Sequence, residues 1–189
     1  MPYNLKQLAE AIENLRSIGF DGVIVGSTTL HLALKRGELE DDVDLFVTSC
    51  SPFMEEDRLR EEAHRRGWSV GYTELGTPAV IMNIDGSDIR VELYENIHDF
   101  YIPEEVLKLC TRRITVSGTA IHHLAVDCWL ILKARRGSEQ DLETLLTVKR
   151  LVSKHVIRLD HSLMKRVLEL YEDDKGYILS RLRSVGLAP

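Results

Sequence analysis

Two runs with a two-residue hydrophobic alternation, Ala79–Ile84 and Ile89–Tyr94, flank Asp85-Gly86. Asp-Gly between alternating runs is a strong signal for a tight hairpin, because the favoured two-residue turn needs positive φ at both central positions. A lone hairpin is marginal in water, so it must be completed by other strands or covered by helices. Val23–Val25, Val43–Thr48 and Trp68–Tyr72 read as further strands. Helical patterns separate them. Leu5, Leu8, Ile12 and Leu15 recur at helical spacing after a cap at Asn4, and Gly19 stops that helix. Gly26-Ser27 opens a second helix through Leu30, Ala33 and Leu34. Ser51-Pro52 reads as the cap and first turn of a third, running to about residue 66.

The second half has a different rhythm. A short helix carrying Val106 and Leu107 follows Pro103, and a small hairpin is expected around Ser117-Gly118, with strands at Arg113–Val116 and Ala120–His122. From Ala125 onward the periodicity is almost all helical, with helices expected near residues 125–136, 139–155, 160–173 and 176–184. These patterns imply an α/β (α+β) fold: a mixed, mainly antiparallel sheet of about five strands flanked by helices, with a C-terminal helical bundle. A division is expected near the hairpin, into a core over residues 1–118 and a helical region over 119–189 packed on it.

No apolar run approaches the ~18 residues of a membrane span, and MPYNLKQLAE lacks a basic leader with an apolar stretch behind it. A cytoplasmic protein with no membrane association is the expectation. Cys50, Cys110 and Cys128 are odd in number and widely spaced, so they are expected to be reduced core thiols. The histidines show no metal-ligand spacing; His122-His123 would point to opposite faces of a strand. The net charge of −6 argues against a general nucleic-acid coat, but the charge is divided. Residues 1–104 carry 9 Lys+Arg against 20 Asp+Glu, and residues 105–189 carry 15 against 10. An acidic first half suits a cation site and a basic second half suits phosphates, although solvated helix faces of unequal charge give the same count.

Asp42-Val43-Asp44-Leu45-Phe46-Val47 carries the chemistry. On a strand, Asp42 and Asp44 share one face while Val43, Leu45 and Val47 share the other. Paired carboxylates repel unless a cation sits between them, and magnesium prefers carboxylate, water and phosphate oxygens. A solvated loop ahead of a strand accounts for the same two residues. Gly26-Ser27, between a strand and a helix, lets a phosphate approach the backbone closely and adds a hydroxyl donor. Glu92 lies mid-strand between Val91 and Leu93, where burial needs a partner: a metal, or Arg90 or a lysine. Asp88 is a rival acid for the same role.

Val25-Gly26-Ser27, then Asp42-Val43-Asp44-Leu45, then Val91-Glu92-Leu93, together resemble the nucleotidyltransferase superfamily related to DNA polymerase beta. The connection over residues 28–41 is slightly longer than is usual there. A second stretch, Arg113–Ile121 with Asp127–Arg136 and Asp141–Leu145, is similar to the toxin-type and abortive-infection nucleotidyltransferases of prokaryotes. The resemblance covers about residues 20–150. It implies that Asp42, Asp44 and Glu92 are catalytic and hold two Mg2+ ions, roughly 3.5–4 Å apart as in two-metal sites. It also implies that Gly26, Ser27, Lys133, Arg136 and Asp141 serve a nucleoside triphosphate, with Asp141 orienting Lys133 or Arg136. A surface helix with charged ends accounts equally for the last three. The acceptor is an RNA end, a protein hydroxyl or a small molecule, with RNA reached through basic residues such as Arg112, Arg113, Lys149 and Arg150. An antitoxin partner and self-association are further implications. The rival expectation is an inactive nucleotide-binding or partner-binding module of the same fold.

Overall fold

The computed structural model describes residues 2–97 and 100–189. The elements in chain order are β1 (Tyr3–Asn4), α1 (Leu5–Ser17), β2 (Gly22–Ile24), α2 (Thr28–Ala33), β3 (Glu38–Leu39), β4 (Val43–Val47), α3 (Glu56–Arg65), β5 (Ser69–Tyr72), β6 (Pro78–Ile84) and β7 (Ser87–Tyr94). They continue as α4 (Glu104–Cys110), β8 (Thr111–Val116), β9 (Thr119–Leu124), α5 (Val126–Arg136), α6 (Glu139–Ser153), α7 (His161–Glu169), a 3-10 turn (Glu172–Asp174) and α8 (Lys175–Ser184). Among the described residues no helix is long and apolar enough to cross a membrane. Contacts group these residues into two compact units, 2–97 with 112–123 and 100–111 with 124–189. The turn at Ser117-Gly118, where the sequence suggests a division, runs within the first unit.

In the first unit seven strands form one mixed sheet, in the order β5-β6-β7-β4-β2-β9-β8. The β6–β7 hairpin turns at Asp85 and Gly86 with φ of 48° and 80°, the doubly positive pair that the sequence signal requires. β2 runs antiparallel to β4, whereas β4 is parallel to β7 and β2 parallel to β9. The small hairpin is therefore part of the main sheet, which has seven strands and not about five. Two-residue strands β1 and β3 pair separately, Tyr3 opposite Leu39. No sequence signal marks them, because two residues carry no periodicity. α1 begins as expected, with a reciprocal capping box between Asn4 and Gln7. Its buried stripe of Leu8, Ile12 and Leu15 packs into a core with Phe20, Leu45, Leu59, Met82, Val91 and Leu93. The helix expected from Ser51-Pro52 starts later, at Glu56. The Ser51 hydroxyl accepts from Met54 N–H at 3.1 Å and donates to Glu95 Oε1 at 3.0 Å, so it holds a turn ahead of the helix.

The second unit is helical, with α5 packed against α6, α7 and α8. Trp129, Leu130 and Ile131 of α5, Leu145 and Val148 of α6, Met164 and Val167 of α7, and Ile178 and Leu182 of α8 are all buried there. α7 is shorter than expected, ending at Glu169 before the 3-10 turn. The expectation of three reduced thiols is corrected: Cys110 at the end of α4 is bonded to Cys128 in the first turn of α5, and both are buried. The β8–β9 hairpin between them returns the chain to its starting point, where Ala125 N–H donates to Cys110 C=O at 2.8 Å. A sequence separation of 18 carries no trace of that return. Cys50 remains free and half-buried.

Closing a loop of this length restricts the unfolded chain by about 3 kcal/mol in the chain-entropy picture. Urea unfolding of the oxidised protein, with and without a thiol reductant, should therefore differ by roughly that amount. Denatured oxidised protein should label at Cys50 alone; labelling at all three cysteines would refute the bridge.

Candidate active site

The parallel pairing of β4 with β7 sets Val43 opposite Val91, Asp44 opposite Glu92 and Leu45 opposite Leu93. Because side chains alternate, Val43, Leu45, Val91 and Leu93 all enter the core, and Asp44 and Glu92 stand side by side on the other face. Asp42 lies just ahead of β4. Arg90, two residues before Glu92 on the same face of β7, joins these acids. Its Nε lies 3.3 Å from Asp42 Oδ2 and donates to Glu92 Oε1 at 3.0 Å, while Nη2 donates to Tyr72 C=O of β5 at 2.8 Å. Glu92 Oε2 accepts from the Tyr94 hydroxyl at 2.5 Å. Both Glu92 oxygens thus have partners within β7.

Asp44 reaches the opposite way, to the start of α2. A Cβ built on Gly26 would lie 1.9 Å from Asp44 Oδ2, so the carboxylate rests directly on the glycine backbone. Val25 N–H donates to Asp44 C=O at 2.9 Å and fixes the two segments together. Ser27 follows as the N-cap of α2, and its side chain makes no capping bond. Gly26, Ser27, Asp44 and Glu92 are therefore gathered at one place in the first unit, with Asp42 tied in through Arg90. From the N-terminus the Tyr3 hydroxyl donates to Asp41 C=O at 2.7 Å, pinning the segment that carries Asp42. Burial raises the Tyr3 phenol well above its ordinary range, so it stays a donor.

Burial raises the Asp42 carboxyl, the negative charge of Glu92 raises it further, and Arg90 opposes both. Among the described residues no three His, Cys, Asp or Glu side chains are close enough together to hold a metal ion. The acids are joined in pairs: Asp44 with Glu92 by register, and Asp42 with Glu92 through a guanidinium. The donor set still fits magnesium chemically. All donors are carboxylate oxygens, the ligand type that magnesium prefers. Asp88, the rival acid, instead accepts from Asn83 Nδ2 at 2.7 Å on the exposed β6–β7 hairpin.

The helical unit gathers the other sequence candidates. Asp141 caps α6 reciprocally with Ser138 and is fully buried. Arg136 grips it with Nε and Nη2, each at 2.6 Å, and Lys133 Nζ approaches to 3.1 Å. Burial alone would raise the Asp141 carboxyl, but the Arg136 hydrogen bonds and the Lys133 charge outweigh it and hold it far below the usual carboxylate range. The Arg90 partner that the sequence offered for Glu92 is present, whereas Tyr94 and Tyr3 were not candidates from sequence. Arg90-x-Glu92-x-Tyr94 offered a signal, since residues two apart share a strand face. Tyr3 offered none.

Replacing Asp141 by Asn should cost about 3–5 kcal/mol, as for breaking a buried charged pair. The sign follows from the depressed native value: the contribution is complete above the unfolded carboxyl pKa of about 3.9 and fades as pH falls through the native value. Wild type and Asp141→Asn should accordingly differ most near neutral pH and converge in acid, as read by urea unfolding across pH. Gly26→Ala should cost about 1–3 kcal/mol through overpacking, because the new methyl group displaces the Asp44 carboxylate. A melt equal to wild type would show that Asp44 does not rest on Gly26.

Comparisons place this geometry among known proteins. Over residues 4–184 the sequence matches the family model described as "Nucleotidyl transferase of unknown function (DUF2204)". No curated protein matches it. The fold is similar to the crystal structure of an antigenic nucleotidyltransferase-like protein from Paracoccidioides brasiliensis, with a TM-score of 0.51, 15% identity and 94% of each chain covered. The solution structure of the antibiotic-resistance factor ANT(2'')-Ia is more distant, with a TM-score of 0.44 and 12% identity over 94% of this chain and 91% of that one. The match spans both units, including the paired acids of the sheet and the Asp141 cluster, so the chain belongs to this nucleotidyl transferase family.

Proposed function

We propose that the protein is a magnesium-dependent nucleotidyltransferase that moves a nucleoside monophosphate from a nucleoside triphosphate to a hydroxyl acceptor. The observation that carries this reading is the Asp44 carboxylate seated on the Gly26 backbone with Glu92 beside it in register. That arrangement brings metal-type donors and a phosphate-type turn to one place. Asp42, Asp44 and Glu92 would hold magnesium, which when bound offsets triphosphate charge and makes an attacking hydroxyl more acidic. Gly26 leaves the backbone open to close approach, and the Ser27 hydroxyl is a donor with no capping duty. The acceptor oxygen would bond to the α-phosphorus as pyrophosphate leaves, with positioning and electrostatics as the protein's contribution. Tyr94 and Arg90 already donate to Glu92, which holds it as a well-oriented ligand.

For Lys133 and Arg136 we propose a phosphate-binding role within the helical unit, with Asp141 as the residue that positions them. Asp141 is buried beneath both, so it does not itself contact a nucleotide in this reading. The acceptor is an RNA end, a protein or a small molecule, and a place in a toxin–antitoxin pair belongs to the same proposal. One observation favours a second reading. Arg90 stands where a cation would join Asp42 to Glu92, as it would in a module that binds nucleotide or a partner without turnover.

Asp44→Asn separates a catalytic acid from a scaffold acid. The substitution keeps shape and removes a charge from a crowded anionic site, so metal-free stability should be unchanged or higher. Pyrophosphate release with magnesium and a nucleoside triphosphate should fall at least about 100-fold, the scale of losing one preorganised electrostatic group. Magnesium should raise the melting temperature of wild type and not of the variant. If magnesium shifts neither protein and the variant melts well below wild type, Asp44 is part of the scaffold.

A further inference from the structure

We infer that Arg90 is a positioning residue that gates the metal site: it serves as the cation of the nucleotide-free protein and yields its carboxylates only when a triphosphate offers it a new partner. This rests on the metal-site reading above. A guanidinium suits the task because its planar donor fork can serve several oxygens at once. Here Nε lies between Asp42 and Glu92, and Nη2 reaches Glu92 and the Tyr72 carbonyl. The Tyr72 bond ties it to β5, the edge strand of the sheet, two strands away from β7.

While this guanidinium holds Asp42 and Glu92, one oxygen of each is not open to a divalent cation. Asp42 Oδ2 and Glu92 Oε1 are the atoms that Arg90 contacts. The guanidinium cannot simply withdraw into the core, where a lone charge is costly. It needs another anion. A triphosphate supplies one, with oxygens that match the guanidinium fork. Metal and nucleotide then bind cooperatively: each favours the state in which Arg90 has left the carboxylates, and such coupling is reciprocal. The arrangement also keeps the paired acids from repelling one another before substrate arrives.

The test is a titration with Mn2+ as a spectroscopic probe for the divalent cation, monitored by electron paramagnetic resonance, with and without a non-hydrolysable nucleoside triphosphate analogue. In wild type the analogue should tighten metal binding at least tenfold. In Arg90→Gln the metal alone should bind at least tenfold more tightly than to wild type, and the analogue should add little. Arg90→Lys keeps one charge without the fork and should fall between them; it also replaces the glutamine variant if that fails to fold. Equal metal-alone affinities in wild type and variant overturn the gate, whatever the melting temperature does, because an arginine that merely anchors β5 changes stability and not metal affinity. Binding of Mn2+ to neither protein, with or without the analogue, overturns the metal-site reading itself and the gate with it.

Discussion

The parallel ladder between β4 and β7 is the constraint on which the rest of the first unit depends. It fixes Asp44 opposite Glu92, and like charges set directly across a ladder are unfavourable. The ladder survives because the other face is fully apolar: Val43, Leu45, Val91 and Leu93 are buried in the core. A slip of either strand by one residue would send its acid into that core and its aliphatic side chains out, so the register has one acceptable value. The repulsion then has to be met locally. Arg90 and Tyr94, on the same face of β7, donate to Glu92, and the Asp44 carboxylate turns away to rest on Gly26. The site's geometry is therefore what an unfavourable pairing becomes once packing forbids any other register.

Each unit solves a charge problem of its own. In the sheet unit, the Arg90 guanidinium joins Asp42 to Glu92. In the helical unit, one buried carboxylate serves both Lys133 and Arg136. The two halves of the chain also differ in composition, since the acids dominate before residue 105 and the bases after it. Buried Asp141 also shows why a partly charged interior is tolerated: every oxygen has a donor, from Arg136, Lys133 and Ser138.

Small anchoring contacts complete the scaffold. The strap formed by β1 and β3 brings Tyr3 to the Asp41 carbonyl, next to Asp42. The Cys110–Cys128 bridge joins α4 to α5 across the excursion of the β8–β9 hairpin. Both features arise where the chain returns to itself after a long detour. Such returns leave no periodicity in the residues involved, which is why neither was expected and why the cysteines were read as separate thiols.

What the sequence determined by itself were the features carried by local rules. Alternation defined β4, β6 and β7 and the faces of their side chains, Asp85-Gly86 defined the hairpin, and Asn4 defined the start of α1. Alternation also placed Asp42 with Asp44 and Arg90 with Glu92, whereas the grouping of Lys133, Arg136 and Asp141 was implied only by the family resemblance. What only the tertiary structure decided was pairing between distant segments. Nothing local shows that β4 runs beside β7 in parallel, that β9 joins the sheet through β2, that Gly26 lies under the Asp44 carboxylate, or that Cys110 meets Cys128. Strand order and register minimise the free energy of the whole core, and side-chain period fixes a face without naming its neighbour.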